Sequence, residues 1–110
     1  MTKLRTLIID DEFPIRELIQ GIILNYCETA EVVASADGVA SGVKAIKLHK
    51  PDLVLLDVNL IDGTAFDLLQ QVDEITFAII FITAYEKYAV NAFKFSAVDY
   101  IMKPIHIDEL

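Results

Sequence analysis

Leu53-Val54-Leu55-Leu56-Asp57 is a short aliphatic run that ends in a carboxylate. Length and flanks decide its reading, because periodicity alone does not separate a short buried strand from a buried piece of helix. Leu4 to Ile9, Glu31 to Ala36, Asp52 to Leu56, Phe77 to Ile82 and Val98 to Met102 are all short, aliphatic or β-branched, and bounded by polar residues, so all five are predicted strands. Two others also end in reactive side chains: Leu7-Ile8-Ile9 in Asp10-Asp11, and Ile79-Ile80-Phe81-Ile82 in Thr83. Lys103 follows the fifth run.

The intervals carry helical spacing. Ile15, Leu18, Ile19, Ile22 and Tyr26 repeat as one face after Pro14, a residue suited to a first helical turn. Val39, Val43 and Ile46 do so in the second interval, Phe66, Leu69 and Val72 in the third, and Ala89, Ala92 and Phe93 in the fourth. Continuous apolar strands alternating with helices imply a parallel sheet covered on both faces, in the order βαβαβαβαβ. Right-handed crossovers put the carboxyl ends of the strands on one edge, where open sheets bind ligands. Asp10, Asp57, Thr83 and Lys103 all fall there. Three carboxylates, with Asp11 counted, repel one another unless a cation joins them. A divalent metal and Lys103 would meet that need.

Four segments, Leu7-Ile8-Ile9-Asp10-Asp11-Glu12, Leu55-Leu56-Asp57-Val58-Asn59, Phe81-Ile82-Thr83-Ala84 and Asp99-Tyr100-Ile101-Met102-Lys103-Pro104, carry a resemblance to a known family. In this order they make the chain resemble the receiver domain of two-component response regulators from Leu4 to its last residue. The stretch from Ala84 to Tyr100 looks most like receivers attached to a LytTR-type DNA-binding domain. The resemblance implies a flavodoxin-like, doubly wound, five-stranded parallel sheet of order 2-1-3-4-5. It also implies that Asp57 is the phosphoacceptor for a phosphohistidine on a sensor histidine kinase. Asp11, Asp57 and the Asn59 backbone carbonyl would hold Mg²⁺, or Mn²⁺ in its place, with Asp10 acting mainly through water. Oxygen ligands and retained water suit such a small hard cation.

Lys103, the Thr83 hydroxyl and the Ala84 N–H are expected to stabilise the phosphoryl oxygens, in a reaction where the protein mostly positions groups and balances charge. The three carboxylates, Lys103 and Mg²⁺ sum to zero formal charge. By the same resemblance Thr83 and Tyr100 form the switch, Lys103-Pro104 is a cis peptide, and a kinase docks on Pro14, Ile15, Leu18 and Ile105. Tyr100 read without the resemblance is an ordinary strand aromatic. The chain departs from the family pattern at Ile61 and Ala65, where many receivers have proline and glycine. Asp62-Gly63 still supplies a turn. Asn59 and Tyr85 are expected to tune hydrolysis.

Bland readings compete residue by residue. A lone Asp or Thr after a strand is usually a turn or capping residue, and Asp10-Asp11-Glu12 suits a helix start. The set with Lys103-Pro104 outweighs that reading, while Glu12 keeps only a capping or solvent role. His49 and His106 lack metal-ligand partners at suitable spacing and are expected at the surface. Cys27 is the single cysteine and is expected as a buried reduced thiol. A haloacid dehalogenase-type phosphatase would place a second acid two residues after a first-strand nucleophile and carry a cap domain; here Asp10 is followed by Asp11 and Glu12, and no cap is expected. A phosphorylation-independent receiver-shaped module predicts the loss of at least one of the acid pair Asp10-Asp11, Asp57, Thr83 or Lys103, and all are present.

The 110 residues suit one domain, a receiver spanning 1–110. A net charge of −8 argues against direct nucleic-acid binding. With no signal sequence or membrane-spanning run, the expected location is cytoplasmic. The chain stops at Ile105-His106-Ile107-Asp108-Glu109-Leu110, where a fifth helix should begin, so the fifth helix is expected to be largely missing and the output domain absent. Exposed apolar surface would then favour self-association, and homodimerisation on phosphorylation is a further expectation. The domain is read as a non-enzyme that assists its own phosphorylation and slow dephosphorylation.

Overall fold

A computed structural model describes residues 3–72, 74–84 and 99–103. The elements are β1 (Leu4–Ile9), α1 (Phe13–Tyr26), β2 (Ala30–Ala36), α2 (Val39–His49), β3 (Leu53–Leu56), β4 (Asn59–Leu60), β5 (Gly63–Thr64), α3 (Ala65–Gln70), β6 (Ala78–Thr83) and β7 (Asp99–Met102). Five strands form one sheet in the order β2-β1-β3-β6-β7, and each neighbouring pair is parallel. Counting only these strands gives the expected 2-1-3-4-5. The small antiparallel hairpin β4-β5 is an addition that spacing did not foresee. The fourth predicted helix lies outside the described residues, as do His106 and the chain end.

Alternation along the strands divides the core. Leu7, Ile9, Val54, Leu56, Ile79 and Phe81 face one side with Val39, Val43 and Ile46 of α2 and Leu68 and Leu69 of α3. Ile8, Leu55, Ile82 and Ile101 face the other, against Ile19 and Ile23 of α1. A period of two on strands covered on both faces is what makes them read as unbroken apolar runs. Register fixes the outcome: Ile9 lies beside Leu56 and Leu56 beside Phe81, so the residues that follow these strands emerge together. One irregularity, between Thr6 and Leu7 in the pairing with β2, skips Val33 and leaves an extra residue in the edge strand, as a bulge does.

The helix faces differ from expectation in detail. Leu18 is 45% exposed and Tyr26 64% exposed, whereas Ile19, Ile22 and Ile23 are buried. Ile15, Ile19, Ile22 and Ile23 form the stripe that meets the sheet, and Leu18 sits a residue's rotation away from it. In α3, Ala65, Leu68 and Leu69 are buried, while Phe66, and Val72 just beyond the helix, only flank the core. Cys27 is half-buried rather than buried, because it caps the end of α1 at the rim of the sheet. His49 is likewise half-buried at the last residue of α2, and its carbonyl accepts a bond from Arg5. No described helix is long and apolar enough to cross a membrane.

Candidate functional site

Asp10 follows β1 directly and is only 1% exposed. Its backbone groups and Oδ1 are hydrogen-bonded to the protein, while buried Oδ2 has no hydrogen bond among the described residues and is held by an ion pair alone. Its N–H donates to Ala36 O at 3.0 Å, and its carbonyl accepts Arg16 Nη1 at 2.7 Å. Oδ1 accepts the Glu12 N–H at 2.9 Å, and Oδ2 lies 3.0 Å from Lys103 Nζ. Asp57 follows β3, is 5% exposed, and donates its own N–H to Ile9 O. Its Oδ2 accepts Lys103 Nζ at 3.0 Å, and its buried Oδ1 has no hydrogen-bond partner among the described residues. Lys103 follows β7, and its N–H donates to Thr83 O at 2.9 Å, which ties it to the end of β6.

One ammonium thus bridges two buried carboxylates. Burial pushes the Asp10 carboxyl above its usual range, outweighing the lowering by the Glu12 N–H and by Lys103. For Lys103 burial works against the charge, but its contacts with Asp57 and Asp10 win and raise its pKa. Burial is thus the main cause for Asp10, with the nearby Asp57 charge adding to it, while the two carboxylates are what raise Lys103. One carboxylate oxygen from each of Asp10, exposed Asp11 and Asp57 lies within 4.8 Å of the others. The partnerless Asp57 Oδ1 beside that group fits a hard divalent cation.

Of the other predicted site residues, Thr83 is buried at the end of β6, Ala84 is exposed just beyond it, and Asn59 is half-buried in β4. Tyr100 lies on β7 opposite Phe81; its side chain lies outside the described residues, as do Pro104, Ile105 and Tyr85. Pro14 and Ile15 open α1, and exposed Leu18 is open to a partner.

Three features escaped the sequence reading. Glu12 occupies the N-cap position of α1 without a side-chain cap, and its carboxylate lies 3.7 Å from Lys103, so it joins the rim of the cluster. Arg16 reaches back to the Asp10 carbonyl with its guanidinium 5.4 Å from the centre of the Phe13 ring. Asp62 reaches α2, where its carboxylate accepts the Val39 and Ala40 N–H groups. Those bonds hold the Asp62 carboxyl below its usual range. The stabilisation they give is present above the ordinary carboxylate pKa and is lost as pH falls through the lowered one.

The profile of the response regulator receiver domain matches residues 6–110. This chain belongs to the response regulator receiver family. The receiver is 36% identical over 109 residues to the sensory transduction protein LytT of Enterococcus faecalis, covering 97% of this chain and 45% of that protein. With the sensory transduction protein LytR of Staphylococcus epidermidis it shares 34% identity, over 97% of this chain and 43% of the other. It therefore spans less than half the length of these curated relatives. Among solved structures, the response regulatory domain of protein mrkE from Klebsiella pneumoniae is 30% identical with a TM-score of 0.86, covering 96% of this chain and 88% of that one. The response regulator domain of Thermotoga maritima CheB shares the fold, at 24% identity and a TM-score of 0.82 over 96% of this chain and 81% of that one.

Proposed function

We propose that this receiver accepts a phosphoryl group on Asp57 from the phosphohistidine of a sensor kinase and, so modified, controls an output domain in a longer chain, a LytTR-type DNA-binding domain. The observation that carries the reading is the Asp57 carboxylate itself. It is buried at a strand end, bonded to Lys103 through one oxygen, and without a protein partner at the other, beside Asp10 and Asp11. A purely structural carboxylate that deep would have both oxygens satisfied.

In the reaction an Asp57 oxygen forms the new P–O bond as the donor's P–N bond breaks, and the imidazole leaves. Asp11, Asp57 and the Asn59 carbonyl would hold Mg²⁺, which when bound offsets charge on the phosphoryl oxygens; Mn²⁺ has the same ligand preferences. Asp10, whose Oδ1 already accepts the Glu12 N–H, would support the metal mainly through water. Lys103, already placed against Asp57, moves its charge onto a phosphoryl oxygen, and the Thr83 hydroxyl and Ala84 N–H contact the others. Thr83 and Tyr100 then couple the phosphoryl group to the output face, with Pro104 aiming Lys103 and a homodimer forming on phosphorylation. The domain assists its own phosphorylation and slow dephosphorylation but turns over no separate substrate, and it acts in the cytoplasm without binding nucleic acid or membrane.

The test is intact mass after incubation with Mg²⁺ and acetyl phosphate. One phosphoryl adduct is expected, absent in Asp57→Asn and absent with a chelator. A folded protein that takes no adduct would overturn the proposal. Docking is tested separately: Leu18→Glu is expected to slow transfer from the kinase while acetyl phosphate still labels Asp57, because Leu18 is exposed on α1 and away from the cluster's ligands. Equal loss from both donors would count against that surface.

A further inference from the structure

The loop after Asp57 is tied to a helix that contributes nothing to the acidic cluster. At the start of α2 the N-cap position is Gly38, which has no side chain to satisfy the first N–H groups. Ser41 Oγ accepts the Gly38 N–H at 3.1 Å, and Asp62, at the tip of the β4-β5 hairpin, accepts from Val39 and Ala40. The cap is therefore supplied from across the loop by a residue late in the sequence.

Gly38 makes room for it. Its φ of −155° is extended backbone open to any residue, but a Cβ there would sit 2.5 Å from Asp62 Oδ1 and 3.0 Å from the Ile61 side chain. The glycine is thus explained by space for the carboxylate rather than by conformation. Beyond the tip, Gly63 at φ +153° turns the chain, and Thr64 and Asp67 close a reciprocal capping box on α3. The hairpin that begins at Asn59 is held at its tip by α2 and at its exit by α3. Its second residue pair, Leu60 with Gly63, spans the two residues Ile61 and Asp62.

We propose that Asp62 is a positioning residue: by capping α2 it fixes the β4-β5 hairpin and so sets the Asn59 carbonyl against the acidic cluster, supplying the stiffness that Ile61 lacks. This rests on the reading of the cluster as a Mg²⁺ site. Calorimetric titration of the metal-free protein with Mg²⁺ alone tests it. Asp62→Ala is expected to weaken binding roughly tenfold, the lower end of what loss of an outer support costs a metal site. Asp62→Asn, which keeps a good capping acceptor, should restore most of that affinity. Gly38→Ala, which displaces the carboxylate, should weaken binding similarly and show no further loss when combined with Asp62→Ala.

A merely structural cap predicts a different result: Asp62→Ala would lower the melting temperature equally with and without Mg²⁺ and leave the Mg²⁺ affinity unchanged. That outcome overturns the proposal. A wild-type protein that binds no Mg²⁺ overturns the reading of the cluster and the role of Asp62 with it. Wild-type binding with an unaffected Asp62→Ala removes only the latter.

Discussion

Lys103→Met is expected to lower the stability of the metal-free protein at pH 7 by about 3–5 kcal/mol, the usual cost of breaking a buried ion pair by removing one partner. The side chain is 12% exposed and bridges Asp10 and Asp57 at 3.0 Å each. Methionine keeps the stem but leaves both buried carboxylates facing one another. Two rescues should follow. Mg²⁺, held as proposed by the folded cluster and not by the unfolded chain, would return about 2.7 kcal/mol at a hundredfold its Kd. Acid is the other. Asp10 already has a raised pKa, so the folded state takes up a proton before the unfolded chain does. Stability contributed by that proton grows as pH falls through the raised value toward 3.8.

The wild-type lysine has the opposite window. Its raised pKa makes its contribution complete below 10.5 and lost as pH rises through the folded value. Urea unfolding of both proteins across pH, in chelator and in Mg²⁺, distinguishes these effects. Equal stability of variant and wild type in chelator at neutral pH would mean that the ammonium is not what holds the two carboxylates together.

Phe81→Ala should cost about 3–5 kcal/mol, the range for emptying a buried aromatic position. The residue lies in β6 with no exposed surface, paired with Leu56 on one side and Tyr100 on the other. Its ring centre is 5.7 Å from that of Phe66. Small domains have only about 5–15 kcal/mol in total, so this change removes a large share. Phe66→Ala, at the half-buried edge of the same cluster, should cost clearly less. Denaturant midpoints decide: a Phe66 cost equal to or above that of Phe81 would move the centre of the core toward α3. The folded fraction of Phe81→Ala should still bind Mg²⁺, because the cluster's carboxylates come from β1 and β3.

The strands were legible to within a residue at each end because the central ones are covered on both faces and carry unbroken apolar runs; Arg5, Glu31 and Ser35 are exposed exceptions in β1 and the edge strand β2. The helix faces were less so. Helix α1 carries Ile15, Leu18, Ile19, Ile22, Ile23 and Tyr26, more apolar residues than a single face can bury, and only the position of the sheet selects Ile23 over Leu18. Asp10, Asp57, Thr83 and Lys103 could be gathered from sequence because each directly ends a run. Asp62 could not, since its partners Val39 and Ala40 lie in another interval and nothing local relates them. A glycine where α2 should have a capping side chain was the one available sign. Arg16 was hidden for a related reason: its acceptor is a backbone carbonyl, which has no signature in a sequence.

Among the described residues the acidic cluster and Lys103 lie at the carboxyl ends of the parallel strands, and the turn between α1 and β2 at the opposite edge contributes nothing to them. Exposed Glu28, between α1 and β2, lies on that edge. New chain termini or an inserted reporter domain should be accommodated there, as exposed turns commonly accommodate them. The same insertion after Asp57 would separate that carboxylate from the hairpin that α2 restrains. The architecture thus sorts the protein's own connections into those an engineer can cut and those that carry its chemistry.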